Sequence, residues 1–314
     1  MDRIEIGIGA IASEIPADRT DILALRDKFQ ATEQFLSEKV GMRRVARLPA
    51  GWETSDLAVA AAQKLLASDA VLPDEIQCLV VVTQNPDVRG LPHTAAIVHG
   101  KLGLPKNILT FDISLGCSGY VSALSIVIGT MQMAGLTRGL LITADPYSKV
   151  IDPDDRDTAL IFGDAASATL LTDRPRWRVG KFDFGTLGAL SGNLAVDAAG
   201  KLSMNGRGVF NFAATEVPAS IERCLKLNGI GMDAIDRVIL HQGSKFIVDT
   251  LAARIMAKDK TGFVAADYGN TVSSSIPLIL ERNLAPADRR LLLSGFGVGL
   301  CWATTVLEKS HDPD

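Results

Sequence analysis

Short apolar runs alternate with segments of helical periodicity along the chain, the pattern of an α/β protein. "IEIGIGAIAS" (4–13) predicts a strand. "SDLAVAAAQKLLAS" (55–68) predicts an amphipathic helix capped by Ser55, and "IQCLVVVTQ" (76–84) and "RGLLITAD" (138–145) predict buried strands. "TALIFGDAASATLLT" (158–172) reads as two strands hinged at Gly163-Asp164. Further on, "TEVPASIERCLKLNG" and "SSSIPLILERNLA" read as helices, and "IDRVILHQ", "RRLLLSGFG" and "GLCWATTVLE" as strands. The uncharged stretch from Ile113 to Thr137 is long enough to span a bilayer. Small and polar residues (Ser118, Gly119, Ser122, Ser125, Gly129, Thr130, Gln132) interrupt it, and no basic cluster flanks it. It reads as a helix buried inside a large globular protein.

The plan runs twice. "IQCLVVVTQ" matches "IDRVILHQ", and "TRGLLITAD" matches "DRRLLLSGF", with the Cys117 helix between one pair and the Ser274 helix between the other. This predicts two α/β halves sharing one pseudo-symmetric core, residues 1–173 and 174–314, divided near "TDRPRWR".

Length and charge narrow the function classes. With 314 residues the chain can bury a large core, and its formal charge of −4 argues against a nucleic-acid binder. Cys78, Cys117, Cys224 and Cys301 form no CxxC pair, so neither a disulfide framework nor a zinc site is expected. The first residues lack the basic and apolar regions of a signal peptide, which predicts a cytoplasmic protein without a membrane segment.

Three residues stand near predicted strand ends, where α/β sheets gather ligands: Cys117, His241 and Asn270. A helix N-terminus lowers a thiol pKa and binds oxyanions, so Cys117 is a candidate nucleophile; a small buried hydrophobe is the other reading. His241 is one of four histidines, and a lone histidine is often structural. Asn270 beside Gly269 fits simple turn chemistry equally well.

Six ordered motifs change that balance: "GCSGY" at Cys117, "DRDTALIFGDAASATLL" from Asp155, "MNGRGVFNFA" from Met204, "HQGS" at His241, "GNTVSSSIPL" from Gly269 and "GFGVGLCW" from Gly295. Together they resemble the β-ketoacyl-ACP synthase III type of condensing enzymes in the thiolase superfamily, over essentially the whole chain. The resemblance implies a thiolase-like fold with layers α-β-α-β-α and a Cys117-His241-Asn270 triad. Cys117 would take an acyl group from a thioester, with its own N–H and that of Val298 as oxyanion donors. His241 and Asn270 would stabilise the enolate left when a malonyl thioester loses CO₂, and Phe296 would shield that step from water. No metal or separate cofactor is implied, only substrates carried on coenzyme A and phosphopantetheine.

Substrate contacts follow from the same resemblance. Phe35, where a tryptophan is usual, Lys39 and Arg156 would meet the nucleotide end of coenzyme A, and Gly206 and Ser244 the pantetheine arm. Ser244 replaces an asparagine, and Phe246 replaces an arginine used for acyl carrier protein. Lys245, Arg254 and Lys258, with Lys260, form a candidate carrier-protein patch, or simply a solvated charged face. Leu91 stands where a phenylalanine reaches across a homodimer to close the neighbour's acyl pocket, and its smaller side chain predicts primers longer than acetyl. Partners implied are acyl-CoA, malonyl-ACP and the acyl carrier protein. The rival reading is an acyltransferase that moves the acyl group from Cys117 to a hydroxyl or amine without decarboxylation. A silent scaffold subunit has no chemical need for the triad. A papain-like protease is opposed by the duplicated α/β plan and the missing "CGSCW" context.

Overall fold

A computed structural model describes residues 4–68 and 70–310; the chain start and the His311 tail lie outside them. Nine strands form the main sheet: β1 (Gly7–Glu14), β2 (Cys78–Val82), β3 (Leu109–Ile113), β4 (Arg138–Ala144), β5 (Ala166–Thr172), β6 (Trp177–Thr186), β7 (Arg237–Leu240), β8 (Arg290–Gly297) and β9 (Cys301–Lys309). Their order is β3-β2-β4-β5-β1-β6-β9-β8-β7. In the first half β1/β5 and β5/β4 run antiparallel and β4/β2 parallel; in the second half β6/β9, β9/β8 and β8/β7 repeat those directions. Where the first half adds β3, the second keeps only a parallel bridge between Val238 and Thr261. A single register pair, Ile8 with Trp177, joins the two runs.

Helices α1 (Thr54–Leu66) and α2 (Thr94–Leu102) cover the first run, and α4 (Gly206–Asn228) and α5 (Lys245–Arg254) the second. Between the runs lie α3 (Gly119–Ala134) and α6 (Ser275–Arg282), in one apolar cluster with residues of β2, β4, β8 and β9. That gives five layers, helices outside and in the middle. The uncharged stretch read above is α3, whose Tyr120, Val121, Leu124, Val127 and Met131 are buried. No described helix is long and apolar enough to cross a membrane.

Three local expectations are corrected. Glu53, not Ser55, opens α1, through a capping box with Asp56. Ser55 donates its hydroxyl to Asp87 instead (2.5 Å). The first half of "TALIFGDAASATLLT" is not a strand: a one-turn helix, Arg156–Ala159, ends in it, followed by a turn and a bridge at Phe162, and Asp155 caps that helix by accepting from Asp157 N–H (3.1 Å) and the Thr158 hydroxyl (2.6 Å). Helix α4 starts at Gly206, nine residues before the predicted Thr215, where Asn205 accepts from Gly208 N–H (3.1 Å), and it continues through Pro218.

Candidate active site

Cys117 sits on the turn between β3 and α3, one residue before the helix cap Ser118. Two glycines at the end of β8 allow the strand to lie against it. A Cβ on Gly295 would stand 2.8 Å from the Cys117 carbonyl oxygen, and one on Gly297 2.8 Å from Sγ. The Val298 N–H that follows hydrogen-bonds the thiol. Burial pushes Cys117 up to about 12, only partly offset by Val298, and buried Asp145 adds to the rise.

His241 ends β7, where its N–H donates to the Ser294 carbonyl of β8 (2.9 Å). Its Nδ1 shares a hydrogen bond with the Ser275 hydroxyl (2.8 Å), and the residue lines the cavity. Burial lowers the imidazole pKa to about 3, so the ring is neutral. Phe296 packs edge-on against it, with ring centroids 5.6 Å apart.

Asn270 is held at every point but one. Its N–H donates to the Ile161 carbonyl (2.8 Å), its carbonyl accepts from Gly163 N–H (2.9 Å), and its Oδ1 accepts from Val272 N–H (2.9 Å). Only the amide NH₂ stays available as a donor. Val272 takes a left-handed φ of 52° while fully buried, a strained conformation for a β-branched residue. That turn is what brings Val272 N–H onto Asn270.

Cys117, His241, Asn270 and Phe296 all line one cavity of about 660 Å³. Phe35, Lys39, Arg156, Gly206 and Ser244 line the same cavity, so it brings together every residue expected at the substrate. Phe35 and Lys39 come from a π-helical turn, Phe35–Val40. The Arg156 guanidinium lies 5.5 Å from the Phe35 ring centre, and Lys39 Nζ lies 3.4 Å from that of Phe246. Ser244 also caps α5, accepting from Ile247 N–H (3.4 Å).

Sequence reasoning missed Phe210, which stacks on Phe246 (5.1 Å), and Arg207, an exposed cation lining the cavity. Arg207 has no ion pair or hydrogen bond among the described residues. The only hint was "MNGRGVFNFA", quoted for its glycine rather than for these two side chains.

The expected basic patch is partly consumed. Lys245 pairs with Asp249, Arg254 donates to the Ala214 carbonyl (2.7 Å), and Lys260 donates to the Ile235 carbonyl (2.7 Å). Lys258 stays exposed. Leu91 lies outside its own chain's cavity and is 86% exposed, on a loop anchored by the Asp87 carboxylate to Ser55.

In chemical terms the site offers a buried thiol facing a backbone N–H, with a neutral imidazole and a primary amide beside it. Donors of that kind stabilise an oxyanion or enolate without adding charge. Known proteins are similar to this chain in sequence. Residues 111–188 match the model of 3-oxoacyl-(acyl-carrier-protein) synthase III, and residues 225–309 the model of its C-terminal domain. The β-ketoacyl-(acyl-carrier-protein) synthase III of Streptococcus agalactiae serotype III (strain NEM316) is 33% identical over 88% of this chain and 91% of its own. That of Lactococcus lactis subsp. cremoris (strain MG1363) is 32% identical, over 88% and 90%.

The chain belongs to the β-ketoacyl-ACP synthase III family.

Among solved structures, the 3-oxoacyl-(acyl-carrier-protein) synthase from Burkholderia xenovorans LB400 superposes with a TM-score of 0.90 at 31% identity, covering 98% of this chain and 95% of the other. The thiolase-like fold expected of a synthase III is therefore the fold observed. The names of these relatives describe condensing enzymes and lend no support to the plain-transfer alternative.

Proposed function

We propose that this synthase III loads an acyl group from a coenzyme A thioester onto Cys117 and condenses it with malonyl-ACP. The observation that carries the reading is that Cys117, His241, Asn270 and Phe296 line one cavity large enough for a pantetheine arm, with the Val298 N–H on the thiol.

In the first half-reaction Cys117 Sγ attacks the thioester carbonyl, whose oxygen is held by the N–H groups of Cys117 and Val298. The bond to coenzyme A breaks, and the thiol proton leaves with it as free thiol. In the second, the malonyl carboxylate departs as CO₂. The electron pair stays as an enolate, its oxygen held by His241 Nε2 and the Asn270 amide. The enolate carbon attacks the acyl carbonyl on Cys117, and the C–S bond breaks. The released thiolate takes up one proton, which its raised pKa favours.

Neutral donors suit this step because a carboxylate would repel the enolate. Phe296, edge-on to His241, keeps water from the carbanion. Phe35, Lys39, Arg156 and Gly206 hold the donor, with Ser244 at the pantetheine arm. Of the candidate carrier patch, Lys258 is exposed with no ion pair among the described residues, while Lys245 and Arg254 already have partners. Exposed Leu91 and the edge strand β3 support a homodimer in which Leu91 closes the partner's acyl pocket. The chemistry runs on thioesters alone, in the cytoplasm where both carriers occur.

Intact-protein mass spectrometry tests the loading step. Incubation with a panel of acyl-CoAs should add one acyl mass to the wild type and none to Cys117→Ala, and malonyl-ACP should discharge it as a 3-oxoacyl-ACP. An adduct that malonyl-ACP cannot discharge would favour plain acyl transfer. A panel profile peaking sharply at acetyl would contradict the role given to Leu91.

A further inference from the structure

Beside Cys117, behind the lining residues of the main cavity, the apolar cluster that holds the thiol and Tyr147 also carries a polar pair. The Tyr147 hydroxyl donates to Gln84 Oε1 (2.9 Å). Both groups reach the residue preceding the nucleophile: a Cβ on Gly116 would stand 2.5 Å from Gln84 Oε1 and 3.2 Å from the Tyr147 oxygen. Tyr147 is 3% exposed and packs its ring on cavity-lining Phe162, centroids 5.0 Å apart. The mechanism uses neither residue.

A thioester entering from the Phe35–Arg156 mouth puts its carbonyl at Cys117, so its acyl chain must continue past the sulfur. Once the Tyr147 proton is given to Gln84, two capacities remain: a lone pair on the Tyr147 oxygen and the N–H donors of the Gln84 amide, which has no partner among the described residues. A hydroxyl is the group that complements both, accepting from Gln84 and donating to Tyr147. A carboxylate fits poorly, because buried Asp145 accepts from the backbone N–H of Gln84 (3.0 Å) in the same corner. We infer that Gln84 and Tyr147 form a specificity pair selecting a short acyl primer that carries a hydroxyl a few carbons from the thioester. This rests on the acyl-enzyme reading above and names its substrate class.

The test compares single-turnover loading of the wild type by butyryl-CoA, 3-hydroxybutyryl-CoA and succinyl-CoA, read as mass gained at Cys117. A site built to pair a hydroxyl discriminates against the analogue lacking it. The expected result is loading by 3-hydroxybutyryl-CoA at least about tenfold faster than by butyryl-CoA, with succinyl-CoA slowest. Tyr147→Phe and Gln84→Leu, checked for folding by circular dichroism, should bring that ratio close to one while leaving butyryl loading within about threefold of wild type. Equal loading of the wild type by butyryl- and 3-hydroxybutyryl-CoA would overturn the specificity pair and leave the acyl-enzyme reading intact. So would an unchanged preference in both variants. Failure of every donor to load would overturn the acyl-enzyme reading and this inference with it.

Discussion

Burial at Cys117 sets a thiol pKa near the top of the accessible range, and Asp145 stands close enough to push it further. Asp145 is itself fully buried and raised to about 7, held by Gln84 N–H, the Asn85 amide and the Ser273 hydroxyl. Below that pH its carboxyl is neutral and exerts no charge on the thiol; above it, the carboxylate opposes the thiolate. Alkylation of Cys117 by iodoacetamide should therefore climb with pH from about 7 to about 10 without a plateau. Asp145→Asn should match the wild type near pH 6 and react at least about threefold faster near pH 9. Identical profiles at both pH values would show that Asp145 is not an electrostatic neighbour of the nucleophile. The thiol, imidazole and amide were picked out in the chain only through the short motifs that carry the family resemblance, since each residue alone read equally well as structural. Gln84, Tyr147, Arg207 and Phe210 were not, because their roles arise only where distant segments meet. The ordinary strand-end residue Gln84 gains meaning from Tyr147 across the sheet.

Among the elements, the strands were the most legible, since β2, β4, β7 and β8 are near-continuous apolar runs buried on both faces. Helix starts were less so: the caps of α1 and α4 depend on side-chain hydrogen bonds that several neighbouring residues could make. The end of α5 hides a strained position. Met256 N–H donates to the Ala253 carbonyl (3.2 Å) and Ala257 N–H to that of Ala252 (2.9 Å), a Schellman closure that usually places glycine where Met256 stands. Met256 has φ 55° and is 89% exposed. Met256→Gly should relieve about 1 kcal/mol, raising Tm by roughly 2 °C in scanning calorimetry; an unchanged or lower Tm would mean the side chain makes a stabilising contact. At the end of β8, Gly297→Ala would drive a methyl into the Cys117 side chain. It should cut acylation about 10²-fold while leaving far-ultraviolet circular dichroism unchanged. Acylation at the wild-type rate would show that strand and nucleophile can part without cost.

Across the whole molecule, the repeated strand order brings three strand ends from two halves to one place: β3 delivers Cys117, β7 His241, and β8 the Gly297–Val298 turn. The paired apolar runs were visible in the chain, but not that the second run of strands would have four members against five, because the stretch around Thr261 pairs through an isolated bridge. In the proposed homodimer, one wall of the acyl pocket, Leu91, comes from the partner chain. Leu91→Asp should then lower wild-type acyl loading and weaken the dimer in analytical ultracentrifugation, whereas a monomeric wild type would remove that role. The account stands most directly on a division of labour within the site, with Cys117 for loading and His241 with Asn270 for decarboxylation. Single-turnover release of labelled CO₂ from carboxyl-labelled malonyl-ACP, run beside Cys117 acylation in His241→Ala and Asn270→Ala, measures that division. The account predicts acylation within about threefold of wild type and CO₂ release down by about 10²–10³-fold. CO₂ release at the wild-type rate, or an equal fall in both steps, would contradict it.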